Sequence, residues 1–378
     1  MTSAPVPPAP VPPVPPVPIP AVPVPAPVSV PHNGPLVTEE DIAAVTEALR
    51  SGWLATGPRA AALEAAFAER FHPLHASAVS SGTAGLTLAL RGAGLGDNGA
   101  TVAVPTYGCS ALLDAVLAAG CTPLVVDVTE RTLGIDPGRL DPAHPIDAVI
   151  AVHTHGHPAD LDALRPKAAL LVEDCCQSLG GRDERGRPLG AIGDASVFSF
   201  YATKVIAAGE GGMLLQRDPA AREHVRGYQD PGAREVYAPR FNHRLSDPAA
   251  ALALSQFRRL DEIAAHRRAV AARYTAALPP HVAPPPGLAP GQVPYRYCLR
   301  AAGRAQQQRW IGHLRAAGIA ADPLIPARHL LHRQLGLEPR EYPVAERVVD
   351  STVSVPLFAA LTEEQADRVA EALSGLPD

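Results

Sequence analysis

Between residues 76 and 201 short apolar runs alternate with helical patterns, and this alternation restricts what the chain can fold into more than any other feature. Residues 76–80, 101–105, 122–128, 147–152, 168–174 and 195–201 read as strands, and 83–91 and 110–119 as helices between them. Most of these runs are apolar on both faces, so both faces need cover. Parallel neighbours in turn need crossover connections, which the intervening helices supply. The pattern predicts an α/β large domain built on a mostly parallel sheet. Ligands of such sheets lie beyond the carboxyl ends of the strands, and the polar clusters of this chain fall there.

The flanks read differently. Residues 1–36 hold 15 of the 42 prolines in a Pro-Val-Ala repeat, which predicts an extended, disordered arm. Folded sequence begins near Leu36, where Thr38 followed by Asp41 forms a helix start. A long helical stretch, 248–277, is expected to carry a domain boundary near residue 256. That gives a large domain over 37–255 and a smaller α+β domain over 256–378, with a strand at 295–299 and helices at 304–317 and 362–373.

A length of 378 residues is enough for two cores. The net charge of -5 and the absence of basic runs argue against a nucleic-acid surface. No apolar run reaches membrane-spanning length, and the start lacks the pattern of a signal peptide. The five cysteines are an odd number with none at metal-ligand spacing, and the adjacent Cys175 and Cys176 read as packed thiols, which suggests a reducing cytoplasm.

Only two lysines, Lys167 and Lys204, stand among the 33 basic residues. Arginine supplies charge but cannot form a Schiff base, so an amine nucleophile has two candidates. Lys204 follows the apolar run 195–201 and precedes the turn Gly209-Glu210-Gly211-Gly212. Two further strand ends carry suitable groups. In Ser80-Ser81-Gly82-Thr83-Ala84 a strand gives way to a helix, whose first amides and the Thr83 hydroxyl can hold a phosphate. In Glu173-Asp174-Cys175-Cys176-Gln177 an acid closes an apolar run and needs a buried partner. A phosphate cradle, a buried carboxylate and a rare lysine are the parts that hold pyridoxal 5'-phosphate, whose ring nitrogen the carboxylate would keep protonated.

The stretches VSSGTAGLTLAL, VEDCCQSLGG, GDASVFSFYATKVIAAGEGG, FNHRLSDPAAALALSQFRRLDE and SVPLFAALTEEQ occur in that order. In these the chain, over 37–375, resembles the DegT/DnrJ/StrS family of sugar aminotransferases, fold type I pyridoxal phosphate enzymes. The resemblance implies that Lys204 bonds the cofactor's aldehyde and that Asp174 partners the pyridine nitrogen. It implies that Gln177 contacts the ring or its phenolic oxygen, and that Ser199, Gly82, Thr83 and Ala84 bind the phosphate. Asn242 matches a residue that reaches the phosphate of the neighbouring subunit, which implies a homodimer with shared sites. Lysine at 204 also separates the chain from the family's sugar dehydratases, which carry histidine there. The substrates implied are glutamate or glutamine as amino donor and a keto sugar, nucleotide-linked keto sugar or keto cyclitol as acceptor, in amino-sugar or antibiotic biosynthesis.

The chain departs from the family at two places. Cys109 occupies the position of an aromatic residue that stacks on the pyridine ring, with Tyr107 as the candidate substitute. His155 and His157 replace a small or aromatic residue and a polar one, which makes His155 a candidate acceptor contact. Arg244 and Arg328 are candidate carboxylate or phosphate clamps, and His329 a candidate substrate neighbour. The run His153-Thr154-His155-Gly156-His157 lacks the Asp and His that would complete a metallo-hydrolase motif, so no metal is expected. The glycines of Gly92-Ala93-Gly94-Leu95-Gly96 follow a helix and read as its ending turn rather than a dinucleotide fingerprint. Two rivals remain: a related enzyme acting on a non-sugar keto substrate, and a catalytically idle ligand-binding protein of the same fold.

Overall fold

The structure, a computed structural model, describes residues 30–96, 99–141, 143, 146–230, 240–285 and 291–378. The arm expected over 1–36 lies outside these up to residue 29. From Val30 onward the chain is packed, so the expected start of the fold near Leu36 is too late. Val30 is fully buried and pairs with Ile319, and the Leu36 carbonyl accepts from Gln256 Nε2 at 2.8 Å.

Seven strands form the large sheet: β1 His75–Val79, β2 Thr101–Pro105, β3 Thr122–Val126, β4 Ile146–Val152, β5 Ala168–Asp174, β6 Ala195–Ser199 and β7 Gly212–Gln216, in the spatial order β1-β7-β6-β5-β4-β2-β3. The pairs β2/β3, β2/β4, β4/β5 and β5/β6 are parallel, and β7 is antiparallel to both β6 and β1. Thus β7 alone runs against the rest, and β1, β2, β4, β5 and β6 all open their carboxyl ends onto one edge. Alternate residues feed opposite faces, as a pleated strand requires. Val197 and Leu214 join the core that contains the helix Gly82–Gly92, while Phe198, Met213 and Leu215 join the core under the helices Pro58–Arg70 and Asp247–Arg258.

The helix Glu39–Arg50 starts at the expected place, with both bonds of the Thr38–Asp41 capping box formed. Asp41 is nevertheless fully buried, and its carboxylate accepts from Arg259 Nη2 at 2.8 and 2.9 Å. Arg259 sits where the helix expected over 248–277 breaks into Asp247–Arg258 and Leu260–Ala277. Buried Asp247, at the start of the first, accepts the N–H groups of Gly57, Arg59 and Ala60 and so fixes the helix Pro58–Arg70.

The C-terminal unit is built on strand β8, Tyr297–Arg300, antiparallel to β9, Thr352–Val355. It is covered by helices Arg304–Ala316 and Glu363–Ser374 around Trp310 and Tyr274, with Val30 in the same core. Residues 330–349 leave this unit and pack Leu330, Leu331, Tyr342 and Val348 into the core of the large sheet. His332 anchors them: buried Nδ1 lies 2.6 Å from Thr106 Oγ1 at the end of β2, and Nε2 lies 2.8 Å from Glu346 Oε1. Among the described residues no helix is long and apolar enough to cross a membrane.

Candidate active site

The strand ends bring the expected residues together. Lys204 lies in the turn after β6, half-buried, its N–H donating to the Tyr201 carbonyl at 2.8 Å. Strand β6 itself stops at Ser199, two residues earlier than expected, and Tyr201 is exposed. Asp174 closes β5 at 9% exposure, with Oδ1 accepting the Cys176 N–H at 2.9 Å. Burial alone would lower the Lys204 pKa. Opposing charge from Tyr295, then Cys176, Asp174 and Cys109, outweighs it and holds the amine above its ordinary value. One ammonium therefore senses the ends of β2, β5 and β6 together.

Gly82 is the hinge of the cradle. A Cβ there would stand 2.9 Å from Cys176 Sγ and 3.1 Å from Ser199 Cβ, so only glycine lets the loop after β1 close against the ends of β5 and β6. The Ser81 hydroxyl caps the helix Gly82–Gly92 by accepting the Ala84 N–H at 3.1 Å. The cap places Ala84 in the first turn of this helix, beside Gly82 and Thr83. The N–H groups of Gly82 and Thr83 open the helix and have no acceptor within it, the arrangement that receives a phosphate. The half-buried Gln177 side chain accepts the His155 N–H through Oε1 at 2.8 Å, which fixes its orientation at the strand ends. A glycine-lined anion cradle, an acid and an amine on one edge of the sheet fit pyridoxal phosphate chemically.

Other expected contacts differ. His155 is 2% exposed, in the left-handed region at φ 59°, and neither ring nitrogen has a hydrogen-bond partner among the described residues. Burial, then His157, Arg300 and Arg296, push its pKa well below the ordinary range. The imidazole is therefore neutral and internal rather than presented to an acceptor; what it offers the site is its backbone. Tyr107 is fully buried, edge-on to His155 at 6.0 Å between ring centroids, so it is not a free substitute for the missing stacking ring. Cys109 is exposed at the β2 end. Asn242 and Arg244 are exposed and bonded to each other at 3.4 Å, in a segment held to the end of β1 by Ser80 N–H to the His243 carbonyl at 2.9 Å. Arg328 and His329 are exposed in the turn Ala327–His329, beside the Leu331 N–H bond to the Thr106 carbonyl.

Three supports had no sequence signal. Asn33 Nδ2 donates to the Thr203 carbonyl at 3.1 Å, next to Lys204, and Tyr295 approaches the amine from the C-terminal unit. The third is Glu173. Its fully buried carboxylate accepts the N–H groups of Gly190, Ile192 and Gly193 and meets His153 Nε2 at 3.0 Å. His153 Nδ1 accepts the Ala159 N–H, so the ring proton sits on Nε2 and is donated to Glu173. His153, Glu173 and Cys175 lie close enough to hold a metal ion, yet both imidazole nitrogens are already committed to this network. Burial raises the Glu173 pKa, and the bonds from His153, Gly193 and Gly190 more than offset it, so the folded value lies below the ordinary one. Its stabilisation is thus present above the unfolded carboxyl value near ~4.3 and lost as pH falls through the folded value. Glu173→Gln sets an amide NH2 against donors and is expected to destabilise by about 3 kcal/mol at pH 7, with the difference shrinking in acid. Urea unfolding at several pH values checks this; equal stability at pH 7 would remove the role.

Residues 35–374 match the DegT/DnrJ/EryC1/StrS aminotransferase family. The chain belongs to this family. The aminotransferase is 31% identical to the spore coat polysaccharide biosynthesis protein SpsC of Bacillus subtilis, over 91% of this chain and 96% of that one. Its fold matches the putative sugar aminotransferase Spr1654 from Streptococcus pneumoniae in its PLP form, with a TM-score of 0.82, 25% identity and coverage of 92% and 98%. The aminotransferase also matches DesV of S. venezuelae, with a TM-score of 0.79, 34% identity and coverage of 89% and 93%. The seven-stranded sheet and its flanking helices are the fold type I arrangement expected from the sequence.

Proposed function

We propose that the aminotransferase moves an amino group from glutamate or glutamine to a keto sugar, nucleotide-linked keto sugar or keto cyclitol. The observation that carries this is the meeting of Lys204, Asp174 and the Gly82 cradle on one edge of the sheet, in a family of aminotransferases. The relatives point to sugars: SpsC is a polysaccharide biosynthesis protein and Spr1654 a putative sugar aminotransferase. The keto sugar is therefore favoured over a non-sugar acceptor, and amino-sugar or antibiotic biosynthesis is the setting it suits.

Pyridoxal phosphate is the cofactor, and when bound it supplies the sink for the electron pair left as a C–H bond breaks. Lys204 Nζ would hold the cofactor's aldehyde, and as a free amine it would take a proton from the donor's α-carbon and redeliver it. Asp174 would hold a proton on the ring nitrogen. Gly82, Thr83, Ala84 and Ser199 would bind the phosphate, and Gln177, oriented by His155 N–H, would contact the ring or its oxygen. Arg244 and Arg328 are exposed cations for a donor carboxylate or acceptor phosphate, with His329 beside them.

The assembly is a homodimer in which Asn242 serves the partner's phosphate. Support comes from Tyr201, three residues before Lys204, and Phe241, beside Asn242, large apolar side chains about half exposed, as are Trp53 and Leu54, a combination typical of a covered surface. Free thiols at all five cysteines suit the cytoplasm.

The test is to incubate the protein with each amino donor and a panel of keto sugars, nucleotide-linked keto sugars, keto cyclitols and simple keto acids. Amination of a sugar or cyclitol is expected. Turnover confined to simple keto acids, or binding of cofactor without turnover, would overturn the reading.

A further inference from the structure

We propose that Tyr295, in the segment before β8, is the positioning residue that holds the Lys204 amine through the face of its ring whenever that amine is not bonded to cofactor. The inference rests on the assignment of Lys204 above. It goes further by making the C-terminal unit part of the machinery around this lysine.

Lys204 Nζ lies 5.3 Å from the centroid of the Tyr295 ring, within the range of a cation over an aromatic face. The residue is held at backbone and side chain. Its backbone N–H donates to the His155 carbonyl at 3.0 Å, its backbone carbonyl accepts from Arg267 Nη1 at 3.3 Å, and the ring's hydroxyl lies 3.4 Å from Thr203 Oγ1. At 6% exposure the residue is largely shielded from water, which strengthens the attraction relative to a surface pair. Arg296 approaches the same ring at 4.7 Å.

A lysine released from its bond has a long flexible stem, and without a partner it samples many rotamers. During transfer the amine must stay beside the reacting carbons. Asp174 and Cys176 at the β5 end, Cys109 beyond β2 and Tyr295 are the titratable groups that act on it, with Arg296 and Arg267 behind the phenol. Of these, Tyr295 alone offers an apolar face.

The chain's two lysines make the contact measurable in the full-length protein freed of cofactor. Competitive acylation with acetic anhydride across a pH series, read by mass spectrometry of the two lysine peptides, gives the titration of Lys204 with Lys167 as internal reference. Tyr295→Leu is expected to move the Lys204 midpoint down by about one pH unit, or ~1.4 kcal/mol. Tyr295→Phe keeps the ring and is expected to stay within about 0.3 units of wild type. Lys167 is expected to be unchanged in both. If the leucine variant does not fold, Tyr295→Met, which keeps bulk without a ring, carries the same expectation. An unmoved midpoint without the ring, or a phenylalanine variant displaced as far as leucine, overturns the proposal. A wrong assignment of Lys204 would show separately, as turnover surviving Lys204→Ala, because acylation involves no cofactor.

Discussion

Lys204→Ala is expected to lower kcat by roughly 10^4-fold or more, because it removes both the amine that bonds the cofactor and the group that moves the proton. The visible absorption of bonded pyridoxal phosphate is expected to vanish with it, while unfolding of the half-buried turn changes little. No other amine can replace it. Lys167 lies at the opposite end of β5 from the site, its Nζ on the Leu140 carbonyl at 3.4 Å. A strand of that length spans about 20 Å. The same variant tests the shared site. Mixing Lys204→Ala with Asn242→Ala chains leaves one site in each mixed dimer with both native residues, so about a quarter of wild-type sites return after random exchange. Retention of the absorption band or of turnover by Lys204→Ala would refute the assignment; no recovery on mixing, with exchange verified, would place Asn242 outside the partner's site.

What could be read in advance was local. Strand β5 is an unbroken apolar run ending in an acid, and β2 is the same kind of run before a polar loop, so both were found with their ends nearly right. The lysine is conspicuous because, apart from Lys167, arginine is the basic residue everywhere else. The parts that escaped are set by distant partners. Strand β7 runs antiparallel between β1 and β6, and its residues Gly212–Gln216 follow the glycine turn with nothing local to reveal their direction. The helix break at Arg259 answers to Asp41, more than two hundred residues away in sequence. Val30 looks like more of the proline arm, yet its N–H reaches the Gly318 carbonyl and Ala320 N–H reaches its own. His155 shows the same limit at the site. A histidine at a strand end reads as a ligand contact, whereas the fold buries it, beside a Gly156 that passes too close to the Val293 carbonyl for any Cβ, at 2.2 Å.

Asp174→Asn is expected to have the second largest effect on turnover, and its size follows from charge alone. A carboxylate ~4 Å from a pyridinium, at an effective dielectric of ~20, contributes roughly 4 kcal/mol, or about three pKa units on the ring nitrogen. Without it the ring nitrogen is neutral at pH 7, and kcat is expected to fall by about 10^3-fold. Asparagine is the informative substitution because its amide oxygen can still accept the Cys176 N–H that Oδ1 takes at 2.9 Å. The strand end then keeps its shape, and the visible absorption of bonded cofactor is expected to remain, in contrast to Lys204→Ala. Reconstitution with an N-methylated pyridoxal phosphate supplies a fixed ring charge that needs no carboxylate. Much of the lost rate is expected to return in Asp174→Asn and not in Lys204→Ala. Near-normal turnover by Asp174→Asn with the ordinary cofactor would mean that the ring nitrogen lies elsewhere. The large loss without rescue by the methylated form would mean that Asp174 acts on the shape of the site rather than on the charge of the ring.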